Sequence, residues 1–134
     1  MEEGLGGIVI SYLDTQIVVW LCEGQLKKLT DRAAAAMEDY ELVVSPIVLL
    51  ELQYLYEIGR IVRQPLALLN QLENQLGLAV KDGALEVVIR SAMFETWTRD
   101  PFDRMIVAHA KSDSAAPLIT SDEKIREHYK KAIW

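Results

Sequence analysis

An α/β fold, with a central and mainly parallel sheet between two layers of helices, is what this sequence predicts. Three observations carry the prediction. Short runs rich in β-branched residues alternate with longer helical stretches along the chain, as in strands joined by helical crossovers. Ser45-Pro46 and Asp100-Pro101 each pair a capping side chain with a proline at the first helical position, which marks two helix starts. The 134 residues, 51% hydrophobic and 25% charged, suit one core and one domain spanning residues 1–134.

Residues 1–7, with Gly4, Gly6 and Gly7, read as a flexible lead-in. The run from Ile8 to Leu13 is the first strand, and Asp14 is either its last residue or the cap of the next helix. Thr15 to Cys22 is too apolar for a surface, and Lys27 to Asp39 carries an alanine run, so two helices follow. Glu41 to Val44 is a second strand. The helix opened by Ser45-Pro46 runs to about Gly59, and Pro65 opens another over Leu66 to Gln75, which Gly77 ends. A short strand near Leu78 to Val80 and a turn at Asp82-Gly83 come next. Ala84 to Met93 reads as a helix, with Val87, Val88 and Ile89 leaving a strand open. The helix begun at Asp100-Pro101 reaches about Ser112. Pro117 to Thr120 is a strand, Ser121 to Lys130 is helical, and Ala132 to Trp134 is an edge strand.

Cys22 is the only cysteine, which rules out an internal disulfide and a clustered-cysteine zinc site and fits a reducing cytoplasm. The apolar run from Ile8 to Leu21 is interrupted by Asp14 and Gln16 and follows two glutamates, so it is neither a signal peptide nor a membrane span. A net charge of −6 argues against nonspecific nucleic-acid binding. Local basic charge nevertheless sits beside key acids, at Arg99, Arg104, Lys124 and Arg126.

Four carboxylates stand where an apolar strand or helix has no reason to carry one: Asp14, Glu51, Asp103 and Asp122. Asp14 and Asp122 follow strands, where open parallel sheets gather ligands, although each also suits a helix cap. Glu51 shares helical spacing with Ile47, Val48, Leu55 and Ile58, a stripe that faces the core; a salt bridge to Arg60 or Arg63 is the plain alternative. Asp103 lines up with Ile106, Val107 and Ala110, while a helix-start reading makes Asp100 the cap and Asp103 a complement to the dipole. Clustered acids stay ionised together only with a cation among them. Oxygen donors without a histidine or cysteine cluster select Mg²⁺ or Mn²⁺. His109, on an apolar helix, and His128, in a charged tail, are not read as ligands or bases.

Taken in order, Tyr12-Leu13-Asp14-Thr15, Ser45-Pro46 through Leu50-Glu51, Arg99-Asp100-Pro101-Phe102-Asp103-Arg104 with Ile106-Val107-Ala108, and Leu118-Ile119-Thr120-Ser121-Asp122 resemble the PIN-domain ribonucleases, and within them the VapC-type toxins. The resemblance runs from about Ile8 to Trp134. It implies a PIN-like α/β/α domain with a sheet of four to five strands that cuts RNA with Mg²⁺ or Mn²⁺. The family's acids fall on Asp14, Glu51, Asp103 and Asp122. The position commonly Asn or His after Asp14-Thr15 is here Gln16.

Asp14 and Asp103 are then the metal-holding pair, with Glu51 and Asp122 completing the site. Thr15, Thr120 and Ser121 are supporting hydrogen-bond donors, and Asp100 is a supporting acid or only a cap. Arg99 and Arg104 are candidates for steering RNA phosphates. A toxin-like protein implies a cognate antitoxin. Trp20, Tyr54, Tyr56 and the apolar helices from Pro46 and Pro65 suggest a homodimer. A receiver domain or a haloacid-dehalogenase-type phosphatase fits poorly, since Leu13 precedes Asp14 and Gln16 follows at the second position. The serious alternative is a non-catalytic module of the same fold that acts by holding a protein partner.

Overall fold

The computed structural model describes residues 9–134, so the expected lead-in over 1–7 and the first residue of the expected strand lie outside it. Five parallel strands form one sheet in the order β3-β2-β1-β4-β5: β1 (Ile10–Leu13), β2 (Glu41–Val44), β3 (Ala79–Val80), β4 (Leu118–Ile119) and β5 (Ala132–Ile133). Consecutive residues of β1, β2 and β4 are buried whichever way they point. A strand buried on both sides needs cover on both faces, and the helices supply it.

The helices are α1 (Thr15–Cys22), α2 (Asp31–Asp39), α3 (Pro46–Glu57), α4 (Pro65–Leu76), α5 (Leu85–Ala92), α6 (Pro101–Ser112) and α7 (Glu123–His128). Ser45 and Asp100 cap α3 and α6 ahead of their prolines, and Gly77 ends α4 in the left-handed conformation, at φ 68°. The main core gathers Tyr12, Leu13, Ile17 and Val44 of the first half with Ile106, Val107, Leu118 and Ile125 of the second.

Three expectations need correction. The helix expected from Lys27 begins only at Asp31, because Thr30 Oγ accepts from the Ala33 N–H at 3.1 Å and caps it there; Leu26–Lys28 is a separate 3₁₀ turn. Asp82-Gly83 forms no turn. Gly83 instead lies under the His109 ring, where a Cβ would come 2.7 Å from Nε2. The last helix is shorter than expected, since Asp122 caps it and Tyr129 is already extended. Trp20 is half-buried against Trp134, centroids 6.0 Å apart, with Lys28 over its ring. The open reading at Val87 to Ile89 resolves as helix: Val88 and Ala92, one turn apart, pack on Ala108 of α6.

Candidate active site

The strands set the site. β2 and β3 extend the sheet to one side of β1, while β4 and β5 extend it to the other, so the order reverses at β1/β4. A reversal of this kind opens a crevice at the carboxyl ends of the strands. Leu13 of β1 pairs with Ile119 of β4, and the residues just beyond them, Asp14 and Thr120, meet at the crevice.

Two threonines tie the acids together. Thr120 Oγ donates to Asp14 Oδ2 at 2.7 Å and accepts from the Asp122 N–H at 3.0 Å. The Thr15 hydroxyl donates to Glu51 Oε1 at 2.6 Å, and its backbone N–H donates to Asp14 Oδ1 at 2.8 Å. Asp14 is thus a buried carboxylate with a donor on each oxygen, joined through one threonine to Glu51 and through the other to Asp122.

Glu51 arrives from α3, which packs on α6. The face that α3 turns inward is Val48 and Leu52, both fully buried, so Glu51 is half-buried at the flank of that stripe and Ile58 is exposed. Neither Arg60 nor Arg63 pairs with it among the described residues; Arg63 Nη1 donates to Gln71. Asp103 sits in the first turn of α6, above the buried Ile106, Val107 and Ala110. Its carboxylate receives no hydrogen bond from a described residue.

These groups share one electrostatic field. Burial raises the Asp14 carboxyl to about 6 against its two hydrogen bonds, and the charges of Asp122 and Asp100 push the same way. Burial raises Glu51 to about 7, opposed by the Thr15 bond and aided by Asp14 and Asp100. Asp103 rises to about 8, first through burial and then through Asp100, Asp14, Asp122 and Glu51. Among the described residues, the charges that shift these three are carboxylates. Asp100 caps α6, its Oδ1 accepting from Phe102 N–H at 2.8 Å and Asp103 N–H at 3.3 Å, yet its charge also reaches all three.

The residues fit a hard divalent cation by donor type and by uncompensated charge. Among the described residues, no three acids, histidines or cysteines stand together as a formed metal cage. Asp14, Asp103, Glu51 and Asp122 are the available donors.

The remaining expected residues are less engaged. Ser121 presents its carbonyl to Arg126 at 3.4 Å. Arg99 is exposed and holds the Thr96 carbonyl at 3.0 Å, while Arg104 Nε holds that of Thr98 at 2.9 Å. Gln16 is exposed. His109 is buried, within 2.7 Å of Ser45 Oγ, and burial lowers its pKa, so it serves packing between α6 and α3.

Sequence reasoning missed Glu95. It is buried, accepts from Lys111 Nζ at 2.6 Å and from Trp97 Nε1 at 2.7 Å, and so fixes the loop that leads into Asp100. Lys111 lies sixteen residues away, beyond any local pattern.

The sequence matches the PIN domain family over residues 11–131. No curated protein matches it. Among solved structures it is similar to VapBC2 from Rickettsia felis bound to a promoter DNA fragment, at 21% identity and TM-score 0.64, covering 89% of this chain and 92% of that one. PAE2754 from Pyrobaculum aerophilum is 20% identical at TM-score 0.54, covering 92% and 87%. DNA-bound VapBC from Salmonella typhimurium is 17% identical at TM-score 0.54, covering 93% and 96%. These likenesses establish a shared fold. With the family match spanning nearly its whole length, and the strand-end acids gathered at the β1/β4 crevice, this chain belongs to the PIN-domain family.

Proposed function

We propose that the protein is a Mg²⁺- or Mn²⁺-dependent endoribonuclease, acting as one domain over residues 1–134, and the toxin of a toxin–antitoxin pair. What supports the reading is that the carboxyls of Asp14, Glu51 and Asp103 are each raised by burial and by neighbouring carboxylates, Asp122 and Asp100 among them, with no basic side chain among the described residues set against them. Leaving such charge uncompensated costs stability, which a fold retains only where a cation repays it. When bound, a divalent ion supplies the charge that activates water and counters the negative charge building on a phosphodiester.

The chain's own residues do the rest. Asp14 and Asp103 hold the ion. Thr120 and Thr15 fix the carboxylates of Asp14 and Glu51 through hydrogen bonds, so those acids present their free lone pairs in one orientation. Glu51 and Asp122 complete the ligand set or orient the attacking water. Arg99 and Arg104, at the entrance to α6, each spend one guanidinium N–H on a loop carbonyl among the described residues and are the candidates to meet phosphate.

The VapBC names of two structural relatives support a cognate antitoxin as partner. An exposed apolar strip on α3 and after it, with Leu50, Tyr54 and Ile58, supports a homodimer. Among the described residues no helix is long and apolar enough to cross a membrane, which accords with a cytoplasmic setting. The test is cleavage of RNA with Mg²⁺ or Mn²⁺, with and without chelator, beside Asp103→Asn. Metal-dependent cleavage lost in the variant supports the reading; no cleavage, or cleavage indifferent to both changes, rejects it in favour of the partner-holding module.

A further inference from the structure

Glu51 and Asp103 come from different helices, and two contacts between those helices stand on either side of them. Ser45, the cap of α3, meets His109 in the last turn of α6, where the ring Nδ1 lies 2.7 Å from the Ser45 Oγ. At the other end Tyr54 of α3 lies against Phe102 of α6, ring centroids 6.0 Å apart. The two helices therefore run antiparallel. Glu51 is six residues beyond Ser45, and Asp103 is six before His109. At 1.5 Å per residue, each acid lies about 9 Å along its helix from the Ser45–His109 contact.

The two contacts differ in kind. Tyr54 is half exposed and meets Phe102 with the rings tilted by 32°, a contact without a directional bond. Ser45 and His109 are both buried. The imidazole is also walled in by Tyr12 of β1, centroids 5.1 Å apart, and by Gly83, where a Cβ would come 2.7 Å from Nε2. A backbone acceptor at Asp82 takes the ring N–H, which leaves Nδ1 to accept from the Ser45 hydroxyl. Any slide of α6 along α3 would leave a buried hydroxyl and a buried ring nitrogen unpaired, so the pair has one register and not a range. Repulsion between Glu51 and Asp103 acts to part the same two helices. A leucine at position 109 would fill the space with less desolvation; what the histidine adds is direction.

We propose that His109 is a positioning residue for the cation site: through Ser45 it locks α6 to α3 and thereby fixes the gap between the Asp103 and Glu51 carboxylates. The inference rests on the metal-dependent reading above and deepens it. His109 itself touches neither metal nor RNA.

The test uses the full chain and reads metal uptake apart from cleavage. Mn²⁺ is titrated into the protein without RNA, and free Mn²⁺ is followed by its electron spin resonance signal. His109→Leu keeps the volume and loses the acceptor, and should weaken Mn²⁺ affinity about tenfold. His109→Asn should restore most of it, because its Oδ1 accepts where Nδ1 does. Ser45→Ala should weaken affinity by a similar factor, and the double variant should be no worse than either single one, since both remove the same interaction. Ser45→Ala leaves the ring in place and carries the test if the leucine variant does not fold. In a second arm, RNA cleavage by these variants should show kcat lowered about tenfold with KM little changed.

Unaltered Mn²⁺ affinity in His109→Leu and Ser45→Ala would overturn the proposal whatever their melting temperatures, because a contact that only packs moves stability alone. Losses that multiply in the double variant would overturn it too, as would an asparagine no better than leucine. Failure of the nuclease reading looks different. A wild-type chain that binds Mn²⁺ but cuts no RNA sinks that reading, while the titration still decides the role of His109; a wild-type chain that takes up no Mn²⁺ sinks both.

Discussion

Thr120 shows how much one hydroxyl organises. It donates to Asp14 and accepts from the Asp122 backbone, so Thr120→Val leaves a buried carboxylate oxygen and an N–H without partners. The expected cost is about 1–3 kcal/mol in denaturant unfolding and a 10- to 100-fold fall in metal-dependent cleavage, with Thr120→Ser close to wild type. A valine variant as active as wild type would remove Thr120 from the machinery. Asp103 has the opposite profile: it is crowded by like charges and receives no hydrogen bond among the described residues. Asp103→Asn should abolish cleavage yet raise the melting temperature of metal-free protein at pH 8 by a few degrees, because it removes a repelled charge. A lowered melting temperature would show that the carboxylate is compensated after all.

Helix starts are where local chemistry is most legible. Ser45-Pro46 and Asp100-Pro101 mark α3 and α6 because capping and proline act within a single turn. Thr30 is hidden by the alanines behind it, since propensity alone extends that helix backward through Lys27 until a cap stops it. Gly83 reads as a turn residue but is required by the ring of His109, twenty-six positions on, a contact that no local pattern encodes. Asp100 belongs to both worlds, as the cap of α6 and as a charge acting on the site. Substitution separates the two roles: Asp100→Ala should lose about 1 kcal/mol with the cap, while Asp100→Asn keeps the cap and relieves repulsion. If the two variants have the same stability, the cap contributes nothing.

For the whole molecule the raised carboxyls fix a direction in pH. Asp14, Glu51 and Asp103 hold protons more tightly folded, at about 6, 7 and 8, than unfolded, where carboxyls titrate near 4. Their contribution is thus fully present below about pH 4 and is lost as pH rises towards 8. Mg²⁺ or Mn²⁺ binds the ionised form, so the rise in melting temperature on adding metal should be larger at pH 8 than at pH 5. A metal effect independent of pH would mean that the ion binds elsewhere. The parallel sheet and its helical cover are legible because alternation of short strands and helices repeats along the chain. Asp14, Glu51, Asp103 and Asp122 stand out in the sequence as misplaced charges, and the hydrogen bonds through Thr15 and Thr120 that link Asp14 to Glu51 and to the Asp122 backbone do not, because they join residues far apart in the chain. Glu95 and the Ser45–His109 contact are not legible either, because they arise from side chains that meet only in three dimensions.

The outermost strands, β3 and β5, are two residues long each. A foreign peptide trying to lengthen the ladder would find almost no backbone to zip onto at either margin, which also discourages self-association into fibrils. Any protein that silences this one must therefore grip it through side chains on helices and loops, and backbone-mimicking decoys designed for strand addition should fail against it.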